Sequence, residues 1–220
     1  MIVALLGDPV SASLSPLMQN AAFAARGLDW TYVALRVRPA ALEEALRGLV
    51  ALGFAGANVT TPHKRDAARL AHADVESVNT LVIRDGRLHG SSTDAAILSG
   101  LDFERAAILG DGGAAAAFVA ALPAATRFSR RGAWPPCVED VDLVVNATSE
   151  RDDVLVQLEP GQTLIDLPYP ETATARAARE RGARVLDGLD VLVAQGAASF
   201  EVWTGVSAPV KVMRAAVSGR

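Results

Sequence analysis

The stretch Ala106-Ala107-Ile108-Leu109-Gly110-Asp111-Gly112-Gly113-Ala114-Ala115 decides how the second half of this chain folds. Four consecutive apolar residues make a short buried strand. The glycines end it, and an alanine-rich run to about Leu122 reads as a helix. In the pattern Gly110-x-Gly112-x-x-Ala115, the first glycine allows a tight turn and the second lets the backbone approach a pyrophosphate. The small third residue lets helix meet sheet. The helix N-terminus then offers N–H groups and partial positive charge to phosphates. Alone, such a glycine pattern is equally an ordinary strand-to-helix turn. The context adds Ser129-Arg130-Arg131, about 20 residues on, where an NAD-binding unit presents an acid to the ribose. Guanidinium groups match a 2′-phosphate in charge and geometry, so the pair favours NADP. In isolation the alternative reading of the two arginines is a solvated turn. Asp111 runs against the pattern, because a carboxylate beside a pyrophosphate repels it unless it points away.

Downstream, strands fit at 125–128, 142–146 and 163–167, and a helix at about 172–181, ended by Gly182. This βαβ series predicts a parallel sheet with right-handed crossovers. Only residues 130–141, with Gly132, Pro135 and Pro136, separate the first two of these strands. A crossover with its helix needs at least about 10–12 residues, and the prolines occupy the helix's place. An extended or very short crossover is expected, and with it a reduced Rossmann-like domain.

Upstream, residues 2–6 read as a buried strand ended by Gly7-Asp8-Pro9. Pro16 sits in the first turn of a helix to about Arg26, with Ser15 as its N-cap. Residues 31–35 form a second apolar run. Leu42, Ala45, Leu46, Leu49 and Val50 repeat as an amphipathic helix. Residues 55–59 read as a strand entering the loop Thr60-Thr61-Pro62, in which Lys64 follows, and Asp85-Gly86 joins 79–83 to 87–90 as a hairpin. From Val191 onward the pattern is helical.

The bulk properties narrow the function. Of 220 residues, 50% are hydrophobic and 21% charged, a globular composition. A net charge of -4 leaves no electrostatic footprint for nucleic acid. Cys137 is the single cysteine, so no intrachain disulfide forms and a reducing compartment is the default. Met1–Leu6 is too short for a signal peptide and lacks a basic flank. No run approaches the roughly 20 apolar residues that span a bilayer, so a cytoplasmic protein is expected. His63, His72 and His89 lack metal-ligand spacing, and no G-x-S-x-G nucleophile motif is present.

Gly7-Asp8-Pro9 with Ser13-Leu14-Ser15-Pro16, then Asn58-Val59-Thr60-Thr61-Pro62-His63-Lys64 and Val78-Asn79-Thr80, resemble the shikimate dehydrogenase family. Ser92-Thr93-Asp94, Gly110–Ala114, Asn146-Ala147-Thr148-Ser149, Asp166–Pro170 and Gln195-Gly196-Ala197 through Phe200–Gly205 continue the family's motifs in order. The resemblance implies an α/β chain of two domains. Residues 1–98 with 190–220 would form the substrate-binding and catalytic domain, and 99–189 the dinucleotide-binding domain. It implies reversible reduction of 3-dehydroshikimate to shikimate with NADPH, by a monomer or homodimer. Lys64 and Asp94 would be the catalytic pair, the lysine passing the proton and the aspartate holding it in place. Ser13 and Ser15 would hold the substrate carboxylate, with Tyr169 nearby, and Thr60, Asn79 and Gln195 would bond the ring hydroxyls. Gly110, Gly112, Gly113, Ala114, Ser129, Arg130, Arg131, Asn146, Thr148 and Gly188 would hold the cofactor. On residue chemistry alone, Lys64 is equally a surface lysine, Asp94 and Ser15 are helix caps, and Tyr169 is a core aromatic.

The chain also departs from the family. The segment between Lys64 and Asn79 is compressed, and the second cofactor-domain helix is missing. Ser92 replaces an asparagine, Ala95 replaces a glycine, and Ser149 is followed by Glu150 where a looser turn is expected. The losses gather around the cofactor, which leaves two alternatives open. One is a paralogue acting on quinate or an amino analogue. The other is a non-catalytic protein that binds a shikimate-like acid, against which the intact Lys64 and Asp94 argue.

Overall fold

The computed structural model describes residues 1–218, so the last two residues of the expected C-terminal tail lie outside the described residues. The chain divides into two compact units, one made of Met1–Thr93 and the segment from Leu192 onward, the other of Asp94–Val191.

The first unit opens with β1 (Ile2–Gly7), α1 (Ser15–Ala25), β2 (Thr31–Arg36), a 3-10 turn at Pro39–Ala41, α2 (Leu42–Ala51) and β3 (Gly56–Val59). Then come α3 (Lys64–Leu70), β4 (Thr80–Arg84) and β5 (Arg87–Ser91). The strands lie in the order β2-β1-β3-β4-β5. β1 runs parallel to β2 and β3, while β4 is antiparallel to β3 and β5. The expected face of α2 points inward: Leu42, Leu46 and Leu49 join Leu6, Val59 and Leu81 in one core. Asp85 (φ 51°) and Gly86 (φ 71°) both take positive φ, as a two-residue hairpin turn of this hand requires. Two expectations are corrected. The N-cap of α1 is Leu14, with no side-chain cap bond, and Ser15 is the first helical residue. Lys64 is not in a loop but opens α3, a helix that its polar start Lys64-Arg65-Asp66 disguised.

The second unit begins with a 3-10 turn (Asp94–Leu98), then β6 (Ala106–Leu109), α4 (Gly113–Ala121), β7 (Thr126–Phe128), β8 (Leu143–Asn146), β9 (Thr163–Asp166), α5 (Ala173–Glu180) and β10 (Arg184–Leu186). All five strands are parallel, in the order β10-β9-β8-β6-β7. Neither the β7–β8 nor the β8–β9 connection contains a helix. Extended residues replace it, and Val138, Val156 and Leu158 pack with Val144, Leu164 and Ala178 on one face of the sheet. On the other face, Ala115 and Phe118 of α4 meet Ile108, Val145 and Ile165. Burial of these apolar faces, at about 25 cal/mol per Å², is the main favourable term for both units.

Helix α6 (Gly188–Thr204) starts in the second unit and ends in the first, and α7 (Val210–Val217) follows it. In the first unit α1 packs against α7. It also lies so close to α6 that a Cβ on Gly196 would meet the Met18 side chain. Gln19 Nε2 donates to the Gly196 carbonyl at 2.9 Å across the same contact. No helix among the described residues is long and apolar enough to cross a membrane.

Candidate functional site

In the first unit, candidate residues gather at the C-terminal ends of the parallel pair β1 and β3. Gly7 lies against Thr60 and Thr61, leaving no space for a side chain. Thr60 N–H donates to the Leu6 carbonyl at 2.8 Å, and Asp8 N–H to that of Thr61 at 3.1 Å. Ser13 follows the β1 turn, and its hydroxyl accepts from the Ser15 N–H at 3.3 Å. Lys64 is partly buried. Its carbonyl accepts from Val78 N–H at 3.0 Å, which ties the start of α3 to the segment that carries Asn79 into β4. His63 is buried and bonds the Val37 carbonyl at 2.6 Å, so it anchors this turn.

Asn79 sits in a buried polar network that the sequence did not disclose. Its Oδ1 accepts from Thr93 N–H at 2.7 Å and from Thr80 Oγ1 at 3.0 Å. Its Nδ2 donates to Thr93 Oγ1 at 3.0 Å and to Gln195 Oε1 at 3.4 Å. Asn58 Nδ2 donates to the Asn79 carbonyl at 2.9 Å and to Ser199 Oγ at 3.0 Å. Tyr32 closes the set by donating to Asn58 Oδ1 at 2.9 Å. Each buried amide therefore has its partners, which fixes Asn79 and Gln195 in a single arrangement.

Asp94 opens the 3-10 turn of the second unit and is buried, directly after Thr93 of the network. Tyr169 is partly buried beyond the end of β9. Lys64 and Asp94 thus belong to different units, as do Asn79 and Tyr169.

The second unit carries a cleft of about 350 Å³ outside the C-terminal ends of its strands. It lies where the strand order reverses between β6 and β8, the place where open α/β sheets bind ligands. Gly110, Gly112, Ser129, Arg130, Arg131 and Thr148 line it. Gly110 has φ +115°, and a Cβ there would stand 2.9 Å from the Ala147 carbonyl oxygen. At Gly112 a Cβ would meet nothing within 4 Å, leaving the backbone open on that side. These glycines, the start of α4 at Gly113 and the two arginines fit a dinucleotide whose phosphates approach backbone N–H groups. The other expected cofactor residues stand behind the lining. Gly113 and Ala114 begin α4. At Gly188 a Cβ would stand 2.3 Å from the Pro168 carbonyl oxygen, so this glycine serves close packing. Asn146 is wholly buried. It donates to Asp166 Oδ1 at 2.7 Å, and its Oδ1 accepts from the N–H and hydroxyl of Thr148 at 3.1 and 2.7 Å.

Charge in the cleft is balanced. Arg130 Nη2 meets Glu150 Oε2 at 3.1 Å, and Arg131 Nη1 meets Asp111 Oδ2 at 3.4 Å. The Arg130 guanidinium lies 5.9 Å from the centre of the Trp134 ring. Backbone N–H groups of Asp152 and Arg151 hold the Glu150 carboxyl below the usual carboxylate range. Burial pushes Asp166 the other way, upward, against the bonds from Asn146 and Thr172. Sequence reasoning missed Trp134 altogether, and it gave no role to Glu150 or Asp166. The signals were the acid directly after Ser149 and the motif that opens at Asp166.

Residues 5–81 match the shikimate dehydrogenase substrate binding domain, and 188–217 match the shikimate 5′-dehydrogenase C-terminal domain. A shikimate dehydrogenase (NADP(+)) of Moorella thermoacetica is 42% identical, covering 96% of this chain and 90% of the relative. That alignment spans 267 positions for a chain of 220 residues, so this chain carries internal deletions. The structure of Thermus thermophilus shikimate 5-dehydrogenase with NADP(H) and shikimate matches at TM-score 0.84 and 30% identity, over 98% of each chain. That of the Aquifex aeolicus shikimate dehydrogenase matches at TM-score 0.88 and 28% identity, over 99% of this chain and 97% of the other. Near-full-length identity, the glycine-lined cleft and the ordered motifs lead to one conclusion: the chain belongs to the shikimate dehydrogenase family.

Proposed function

We propose that this chain is an NADP-dependent oxidoreductase that interconverts 3-dehydroshikimate and shikimate. The observation that carries the reading is the cleft at the β6–β8 reversal, in which Gly110, Gly112 and two arginines meet in a chain of this family. When bound, the nicotinamide supplies hydride transfer. The chain's own residues bind, orient and handle the proton. Gly110 and Gly112 let the pyrophosphate approach the backbone, and Arg130 and Arg131 receive the 2′-phosphate. Asn146 holds Thr148 in the cleft wall. Ser13 and Ser15 take the substrate carboxylate, with Tyr169 as a further donor. Thr60, Asn79 and Gln195 take the ring hydroxyls. The 3.4 Å contact between Asn79 and Gln195 is the longest in the network and the one a hydroxyl replaces at least cost. Lys64 Nζ passes the proton to or from the reacting oxygen, and Asp94 supplies the counter-charge.

In this reading residues 1–98 and 190–220 form the substrate-binding and catalytic domain, 99–189 the dinucleotide-binding domain, and Tyr169 is the one substrate residue that the latter supplies. The protein works in the cytoplasm as a monomer or homodimer. The test is NADP reduction followed spectrophotometrically with shikimate and, separately, with quinate at several pH values. Turnover with shikimate is expected. Turnover confined to quinate would move the activity to a paralogue, and shikimate binding without turnover would make the chain a binder.

A further inference from the structure

Both arginines that line the cleft already face acids. Glu150 and Asp111 both line the cleft, each beside one of the two arginines assigned to the 2′-phosphate. Glu150 is firmly placed. Its Oε1 accepts from the N–H groups of Arg151 at 3.0 Å and Asp152 at 3.2 Å, while Oε2 faces Arg130. Its own N–H donates to Thr148 Oγ1 at 3.2 Å, so the carboxylate is built into the same turn as the cleft wall. Its side chain is 24% exposed, against 51% for Asp111. Solvent therefore screens the Asp111 charge more strongly.

We propose that Glu150, and more weakly Asp111, are specificity-determining residues: internal anions that occupy Arg130 and Arg131, so that a 2′-phosphate binds by displacing them. The inference rests on the NADP reading of the cleft. With both guanidinium groups neutralised, the ribose end of the site carries no net charge from these four residues. A phosphate there gains its bonds to arginine but loses the arginine–carboxylate bonds and faces a fixed carboxylate. Preference for NADP over NAD is thereby held below what two arginines alone would give. A carboxylate among backbone N–H donors stays ionised through the neutral range, so the damping is constant there.

The test is calorimetric titration of NADP+ and NAD+, which differ only by the 2′-phosphate, into the parent, Glu150→Gln and Asp111→Asn. Glutamine keeps an acceptor for the Arg151 and Asp152 N–H groups while removing the charge. Glu150→Gln should bind NADP+ about five- to tenfold tighter and NAD+ within about twofold of the parent, as expected for one charge removed near a phosphate. Asp111→Asn should give a smaller gain, and added salt should shrink both gains. If Glu150→Gln does not fold, Asp111→Asn carries the test. NADP+ binding by the parent with no gain in either variant, or with a loss, would overturn the inference and make the acids supports for the arginines. If no protein binds NADP+, the NADP reading itself fails, and the inference with it.

Discussion

Replacing Asp166 by alanine removes the acceptor of two side chains that are themselves wholly buried. Asn146 Nδ2 loses a bond of 2.7 Å and Thr172 Oγ1 one of 2.8 Å, and neither side chain reaches water. An orphaned buried donor costs about 1–3 kcal/mol. Relief of the desolvated carboxylate offsets part of that, so a net loss of about 2–4 kcal/mol is expected. For a chain of this size that lowers Tm by about 5–15 °C. The sign of the pH dependence is also set. The folded pKa of Asp166 is raised by burial. Its stabilising contribution is therefore complete below the ordinary carboxylate range and is lost as pH rises through the folded value. The stability gap between parent and variant should widen on acidification from neutrality. A second effect reaches the cleft: Asn146, freed on one side, no longer fixes Thr148, so NADP affinity should fall as well. Urea unfolding followed by circular dichroism at several pH values, with NADP+ titration of the folded variant, measures both. A loss under about 1 kcal/mol, with unchanged NADP affinity, would refute the assignment of Asp166 as the support of the cleft wall.

Lys64→Ala should lower kcat about 10²–10⁴-fold while shikimate still binds within several-fold of the parent, measured by steady-state kinetics and equilibrium binding; abolished binding would contradict a proton-transfer role. Arg130→Ala should weaken NADP binding by roughly tenfold or more and leave NAD binding nearly unchanged, and equal losses for both would remove Arg130 from 2′-phosphate recognition. Gly112→Ala should keep its stability within about 0.5 kcal/mol, because its Cβ meets nothing, yet bind NADP more weakly. Gly110→Ala should lose stability as well, since φ +115° and the Ala147 carbonyl both oppose a side chain there. Thermal melts and cofactor titration of the two variants separate these outcomes.

The features legible in the sequence were the locally encoded ones. Four apolar residues before Gly110 make β6, Asp85-Gly86 makes a turn, and Pro135-Pro136 excludes a crossover helix wherever the rest of the chain lies. Helix α3 was hidden because its first turn is polar and only Ala67 and Ala68 are buried along it. The polar network was hidden for another reason: Asn58 and Ser199 are 141 residues apart, and no local pattern pairs them. The arginines were visible as residues, but their partners were not. Glu150 lies 20 positions from Arg130, in an irregular turn.

Two connections of the parallel sheet are extended chain, and this shapes how the cofactor cleft responds to its ligand. A helix satisfies its own backbone amides, whereas an extended segment relies on scattered anchors. In the stretch 147–162 these include Leu155 N–H bonded to Thr174 Oγ1, and Glu159 N–H bonded to Gln162 Oε1. Arg130, Arg131 and Trp134 sit in one such stretch and Thr148, Ser149 and Glu150 in the other, so these lining residues ride on segments without the regular hydrogen bonding of a helix or strand. Amide hydrogen exchange should run fast there and slowly in β6, β8 and β9. Nucleotide binding then slows exchange in the two stretches, and the entropy of that ordering is drawn from the affinity.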